Sequence, residues 1–192
     1  MGVYVKNTFE EEQRRIHGLL KSEEDTNKKL EELTNRDPLT GTYNRRFLSN
    51  FLEVKLQPEI QPPKDLCVMA LDIDHFKQIN DTWGHGFGDE ALVRFTTAIQ
   101  DNLRKDDILA RLGGEEFIVV LNQIEFPKAK EIAERIRKAV SEITFHNGAR
   151  MTVSIGLVQA EPGEGEDDVL KRADKCLYHA KNAGRNRVVS NP

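Results

Sequence analysis

Two periodicities divide the chain. Over residues 1 to 35 apolar residues recur in a heptad frame, with Phe9, Ile16 and Leu30 at one seam position and Val5, Leu19 and Leu33 at the other. Glu23 interrupts the first seam, and Glu12 and Thr26 the second, so the pattern predicts a coiled coil with a weak middle. A single solvated helix packed on its own domain fits the same few heptads. Polar seam positions also permit alternative registers, which suits a helix that transmits a signal. The stretch "NRDPLTGTYNRR" ends this pattern, because Asp37-Pro38 disfavours helix before the proline and Gly41 permits a turn. The expected division is 1–35 as a coiled-coil or signalling helix and 36–192 as a globular domain.

Beyond the boundary the pattern alternates between helix and strand periods. Arg45 to Leu56 reads as a helix, and "QPEIQPPKD" as a proline-marked loop. "LCVMALDI", residues 66–73, is an almost unbroken apolar run of strand length, as expected of a strand buried on both faces. A helix is expected from about Asp89 to Leu103, with Leu92, Phe95 and Ile99 on one stripe. Strands follow at 107–112 and 117–121, then a helix over 127–140 carrying Ala129, Ile132, Ala133, Ile136 and Val140. A strand at 151–158, a helix at 167–182 and a short strand at "RVV" complete the order. Two strands joined by a tight hairpin within an alternating series predict an α/β (α+β) fold, a mixed sheet with helices packed on it.

Composition narrows the chemistry. The 192 residues are 38% hydrophobic and 31% charged, enough to bury one core. With 28 basic and 32 acidic residues the net charge is −4, so no general attraction to nucleic acid or an anionic membrane is expected, and any phosphate site must be local. Cys67 and Cys176 lie far apart in apolar or helical surroundings, which points to buried free thiols in a reducing cytoplasm. No stretch approaches the roughly 20 apolar residues of a membrane span, and no signal-peptide core is visible. The expectation is a soluble, cytoplasmic protein.

The hairpin "RLGGEEFIVVL" concentrates the candidate chemistry. Gly113 and Gly114 suit a two-residue turn that needs positive backbone angles, but the adjacent Glu115 and Glu116 repel each other. A solvated hairpin tip explains them alone as well as a cation site does. A second acidic cluster shifts that balance: "LDIDHF" places Asp72 at the end of the buried strand. Were that strand to run on, Asp72 and Asp74 are expected on opposite faces, with Asp74 the better suited to cap the next turn. Asp72 beside Glu115 and Glu116 would make an oxygen-rich site of the kind Mg²⁺ favours. The following "FKQINDTWGHGFGDEAL" is turn-rich, and Gly84, Gly86 and Gly88 before a helix suit an anion, though such spacing is weak on its own. Asn80, His85 and Asp89 add polar groups, and a carboxylate can accept guanine's adjacent ring N–H and amino donors together.

Taken in order, "DPLTGTYNRR", "LDIDHFKQINDTWGHGFGDEAL", "RLGGEEFIVVL", "TVSIGL" and "ADKCLYHAKNAGRNRV" resemble the GGDEF diguanylate cyclases, bacterial enzymes that condense two GTP into cyclic di-GMP. The resemblance covers residues 37 to about 189. It implies a ferredoxin-like nucleotide-cyclase palm, a mixed central sheet flanked by helices, here preceded by the N-terminal coiled-coil helix. It implies that Asp72, the Ile73 carbonyl and Glu115 hold Mg²⁺, or Mn²⁺ in its place, with Glu116 close to the metal. Either Glu115 or Glu116 would assist deprotonation of the attacking hydroxyl. Asn80 and Asp89 would bind guanine, His85 would line that pocket, and Phe76 and Lys77 would offer backbone groups to the phosphates. Lys181 and Arg185 would neutralise the terminal phosphate; four apart, they would share one face of a helix that continued that far.

The same resemblance implies a homodimer, since the product joins two nucleotides and each domain holds one GTP. The N-terminal coiled coil would pair the chains. "RKDD" carries Arg104 and Asp107, which match the family's RxxD site for inhibition by product, with Arg135 as a secondary contact. Alone, so short a motif reads better as a surface salt bridge. The rival function is a non-catalytic receptor for cyclic di-GMP or GTP, or an adaptor; an intact GGEEF favours the enzyme. No sensor fits within 35 residues, so an upstream sensor domain or partner is the expected source of input.

Overall fold

The computed structural model of the protein describes His17, Lys21, residues 34–57 and residues 65–191. The chain divides into two units, Met1–Arg36 and Asp37–Pro192. The whole heptad seam, Val5 to Leu33, lies outside the described residues. In the second unit the order is β1 (Tyr43–Asn44), α1 (Arg45–Lys55), β2 (Cys67–Ile73), α2 (Phe76–Trp83), α3 (His85–Gln100), β3 (Ile108–Gly113), β4 (Glu116–Leu121), α4 (Phe126–Ser141), β5 (Val153–Gln159), α5 (Glu166–Asn182) and β6 (Val188–Asn191).

The six strands form one mixed sheet in the order β1-β3-β4-β2-β5-β6. β2 lies at its centre, antiparallel to both β4 and β5, while the outer pairs β1/β3 and β5/β6 are parallel. The four inner strands thus interleave two split β-α-β units. All seven residues of β2 are buried, as its unbroken apolar run predicts. Strand alternation sorts them: Cys67, Met69, Leu71 and Ile73 join a core with α2, α3 and α4, whereas Val68 and Ala70 join a second core under α1 and α5. That parity places Asp72 on the α1/α5 face.

α5 lies unusually close to the sheet. A Cβ on Gly156 of β5 would collide with the backbone of α5 at Ala173, Cys176 and Leu177, so only glycine allows this approach. The N-terminus of α1 is capped by Asn44, whose side chain accepts the Phe47 N–H at 3.1 Å.

Strands β2 to β6 and the helices α1, α4 and α5 fall within two residues of their expected bounds, whereas β1 was not expected. The segment read as turn-rich differs: residues 76–83 form α2, and α3 begins at His85 instead of near Asp89. Only Gly84, at φ +83°, breaks the two helices. α2 escapes the periodicity because its apolar stripe spans only two turns.

Candidate active site

The site is assembled where β2 and β4 end together. Asp72 and Glu116 are cross-strand partners, so their side chains leave the sheet on the same face. Glu115 sits in the two-residue turn between Gly113 and Glu116, which are themselves paired. Gly113 and Gly114 have φ of +150° and +54°, the positive angles expected of the hairpin. A register shift between Arg111 and Gly113 twists the strand just before the turn. Arg111 then clamps the tip: its Nε and Nη2 donate to the Gly114 carbonyl at 3.0 and 2.7 Å, and its Nη1 donates to Asp37 Oδ1 at 3.1 Å. Asp37 and Arg111 were both visible in the sequence as parts of motifs, but nothing in their local pattern signalled this long-range pair.

Asp72 is buried and meets Lys181 of α5, Nζ to Oδ2, at 2.8 Å. Burial pushes its pKa upward; the Lys181 ammonium pulls it down, and Glu115 and Glu116 push it up again, leaving it above the ordinary 3.8. Asp72 therefore feels both glutamates of the hairpin across the end of the sheet. The sequence expectation that Asp72 and Asp74 would face opposite ways is corrected. Residues two apart in a strand share a face, and Asp74 bonds to Ser154, the cross-strand partner of Asp72. What separates the two acids is the end of β2 at Ile73.

The residues expected to read a base lie on α2 and α3. A Cβ on Gly88 would strike the Asn80 side chain, so glycine brings the two helices together there, and Asp89 is the next residue along α3. His85, Lys77 and Asp89 are exposed; Phe76 is buried, which leaves only its backbone for a ligand. Of the three glycines expected at a helix entrance, only Gly84 is there; Gly86 and Gly88 lie within α3.

Lys181 and Arg185 do not share a helix face. α5 ends at Asn182, and Arg185 has φ +60°. Its N–H donates back to the Ala180 carbonyl at 3.1 Å and Gly184 N–H to Lys181 O at 3.4 Å, a Schellman closure made possible by Gly184 at φ +110°. The helix does not continue that far: it ends at Asn182, three residues before Arg185.

Arg104 and Asp107 lie elsewhere, before the start of β3. Six strand residues separate them from the hairpin tip, roughly 20 Å. No salt bridge joins them. Asp107 instead accepts the Arg104 backbone N–H at 2.8 Å and the Asn122 N–H at 3.3 Å. The Arg104 side chain borders a cavity of about 510 Å³ together with Phe51, Lys55 and Asn122. Arg135 of α4 donates twice to Asn102, at 2.7 Å to each oxygen.

Among the described residues no three His, Cys, Asp or Glu side chains stand together at metal-ligand spacing. The donor chemistry nevertheless fits a hard divalent ion. Asp72, the Ile73 carbonyl, Glu115 and Glu116 offer only oxygen, and Asp72, whose pKa burial raises first and Glu115 and Glu116 add to, is a carboxylate that a nearby cation would help keep ionised. Mg²⁺ in particular takes one or two carboxylates and completes its shell from water and substrate phosphate, so a preformed cage of three is not required. Among the described residues no helix is long and apolar enough to cross a membrane.

Comparison with known proteins places these features. The family model described as "Diguanylate cyclase, GGDEF domain" matches residues 34–187. A probable diguanylate cyclase of Escherichia coli K12, DgcT, is 43% identical over 163 residues, covering 82% of this chain and 36% of the relative. The response regulator PleD of Caulobacter vibrioides is 42% identical over 165 residues, with coverages of 82% and 36%. The chain thus spans well under half the length of these curated relatives. Among solved structures, the coiled coil and GGDEF domain of Caulobacter crescentus DgcB, in complex with c-di-GMP, superposes with a TM-score of 0.82 at 28% identity, covering 95% of this chain and 99% of that one.

Proposed function

The chain belongs to the diguanylate cyclase GGDEF domain family, and we propose that it condenses two GTP into cyclic di-GMP and two pyrophosphates. The observation that carries this reading is the meeting of Asp72, Glu115, Glu116 and Lys181 at the common end of β2 and β4. In each half-reaction a 3′-hydroxyl oxygen forms a bond to the α-phosphorus of the other nucleotide. The bond from that phosphorus to pyrophosphate breaks, and the hydroxyl proton passes to a carboxylate, Glu115 or its neighbour Glu116. Asn80 and Asp89 hold guanine, with His85 at the pocket wall, and the backbone at Phe76 and Lys77 meets the phosphates. Lys181 and Arg185 offset charge on the terminal phosphate. Asp72, the Ile73 carbonyl, Glu115 and Glu116 would hold a divalent ion, Mg²⁺ or Mn²⁺. When bound, such an ion supplies positive charge against the phosphate oxygens and lowers the pKa of the attacking hydroxyl.

Two such half-sites must face each other, so the active species is a homodimer, paired through the N-terminal helix and placing two substrates within reach. The cavity lined by Arg104 and Asp107 serves as the inhibitory product site, where guanidinium reads guanine acceptors, with Arg135 as a secondary contact. The protein acts in the cytoplasm, downstream of a sensor domain or partner.

Incubation with GTP and Mg²⁺, followed by mass spectrometry, tests the reading directly. The expected outcome is cyclic di-GMP with two equivalents of pyrophosphate, at a rate that slows when product is added to the native protein but not to Arg104→Ala. Recovery of unaltered GTP from a protein that binds it would establish the receptor or adaptor alternative instead.

A further inference from the structure

Asp74 has no role in the scheme above, yet it is 4% exposed and its carboxylate accepts three hydrogen bonds. Thr152 Oγ1 donates to Oδ2 at 2.7 Å, Ser154 Oγ to Oδ1 at 2.7 Å, and the Asn186 backbone N–H to Oδ2 at 3.0 Å. With both oxygens engaged, little of it remains for an ion or a nucleotide. The third bond reaches a segment 112 residues away in sequence.

That segment is under conformational constraint. Arg185 and Asn186 both lie in the left-handed region, at φ +60° and +43°, which asparagine tolerates but arginine holds only where its surroundings impose it. The imposing contacts are visible. Ala180 O accepts the Arg185 N–H, and Arg137 Nη1 donates to Asn186 Oδ1 at 2.9 Å. Arg187 Nε donates to Arg185 O at 3.1 Å. Asp74 provides the one contact from the acidic end of β2. The last turn of α5 and its exit are therefore tied to that strand end twice, by Asp72 to Lys181 and by Asp74 to Asn186, with Arg185 between the two ties.

We propose that Asp74 is a positioning residue for recognition of the nucleotide's terminal phosphate: by holding the Asn186 N–H it fixes the left-handed turn and so the placement of Arg185, while touching neither metal nor nucleotide itself. The proposal rests on the reading that the chain binds GTP and that Arg185 meets its terminal phosphate. Loss of Asp74 then acts only through Arg185, and only on ligands that possess that phosphate.

Calorimetric binding of the α,β-methylene analogue of GTP, which cannot release pyrophosphate, is compared with binding of GDP, both with Mg²⁺. Asp74→Asn should weaken the triphosphate by about tenfold and leave GDP within about twofold. Arg185→Ala should do the same, and the double variant should be no weaker than Arg185→Ala alone, whereas a general structural role would make the two losses multiply. Asn186→Ala, which disfavours the left-handed turn without touching Asp74, should lose triphosphate affinity, and Asn186→Gly, which permits the turn, should keep most of it. Equal weakening of GDP, multiplying losses, or identical behaviour of the two Asn186 variants would overturn the proposal. If the native protein or Arg185→Ala shows no preference change between triphosphate and diphosphate, the premise about Arg185 fails, and the proposal with it.

Discussion

Two turns flank the acidic end of β2, and they reach similar backbone angles by different means. At the β3–β4 tip, positive φ falls on glycines, Gly113 and Gly114, and nothing lies within 4 Å of where their Cβ atoms would stand. At the α5–β6 turn it falls also on Arg185 and Asn186, which pay for it with bonds from Asp74, Arg137 and the end of α5. The first turn has conformational freedom and needs a clamp, which Arg111 supplies through two bonds to the Gly114 carbonyl. The second turn lacks that freedom and is held by many partners. Glycine lets a turn form cheaply but does not say where its tip rests, whereas a braced turn carries its position with it.

Cutting the clamp at the glycine tip should have the largest effect. Arg111→Ala removes both bonds to Gly114 and the tie to Asp37 while leaving Asp72, Glu115 and Glu116 chemically intact. Displacement of reacting groups by about an ångström costs on the order of 100-fold in rate, and that is the fall in kcat expected in a GTP turnover assay, with GDP affinity nearly unchanged. A fall in GDP affinity matching the fall in kcat would show that Arg111 supports the whole fold and not the tip.

A smaller effect comes from withdrawing the freedom itself. Gly114→Ala meets open space, so its cost is that of a left-handed alanine, about 1 kcal/mol by denaturant unfolding. A cost several times larger would mean that contacts at the tip, and not backbone angle, govern the turn.

The same contrast explains what could be read from sequence. The buried run of β2, the heptad frame and the Gly-Gly hairpin are local patterns, each contained in a few neighbouring residues; β2 formed as expected, and the hairpin formed with its two-residue turn one position later, at Gly114 and Glu115, because Gly113 still pairs with Glu116. The gathering of Asp72 with the two glutamates followed from a strand end meeting a hairpin, a consequence of register once the sheet is assumed. β1 was missed because two residues make a strand only when β3 is already there to pair with. α2 was missed because its apolar stripe, Phe76, Ile79 and Trp83, spans only two turns and lies among residues that suit a turn-rich segment. The shared face of Lys181 and Arg185 depended on a longer helix, and one glycine at the helix exit outweighs four-residue spacing. Asp74 with Asn186 and Arg111 with Asp37 join residues 112 and 74 positions apart, and nothing in either local pattern announces the partner.

The Asp37 end of the clamp provides the finest test, because its contribution depends on pH. Burial opposes ionisation of Asp37 most strongly, but the Thr40 hydroxyl and N–H and the Arg111 guanidinium together outweigh it and hold the pKa below the ordinary 3.8. Between the lowered folded value and 3.8 the unfolded chain binds more protons than the native protein, so stability falls as pH drops through that window. Above 3.8 the full contribution is present, and below the folded value it is gone. Asp37→Asn cannot titrate, so the stability gap between it and the native protein should be constant from neutral pH down to about 4 and then close on further acidification. Measured on Arg111→Ala, the native Asp37 should lose part of its downward shift, so the gap should be smaller and should finish closing at a higher pH. A gap that stays open below the window, or that closes at the same pH with and without Arg111, would separate Asp37 from the clamp and leave the hairpin tip braced by Arg111 alone.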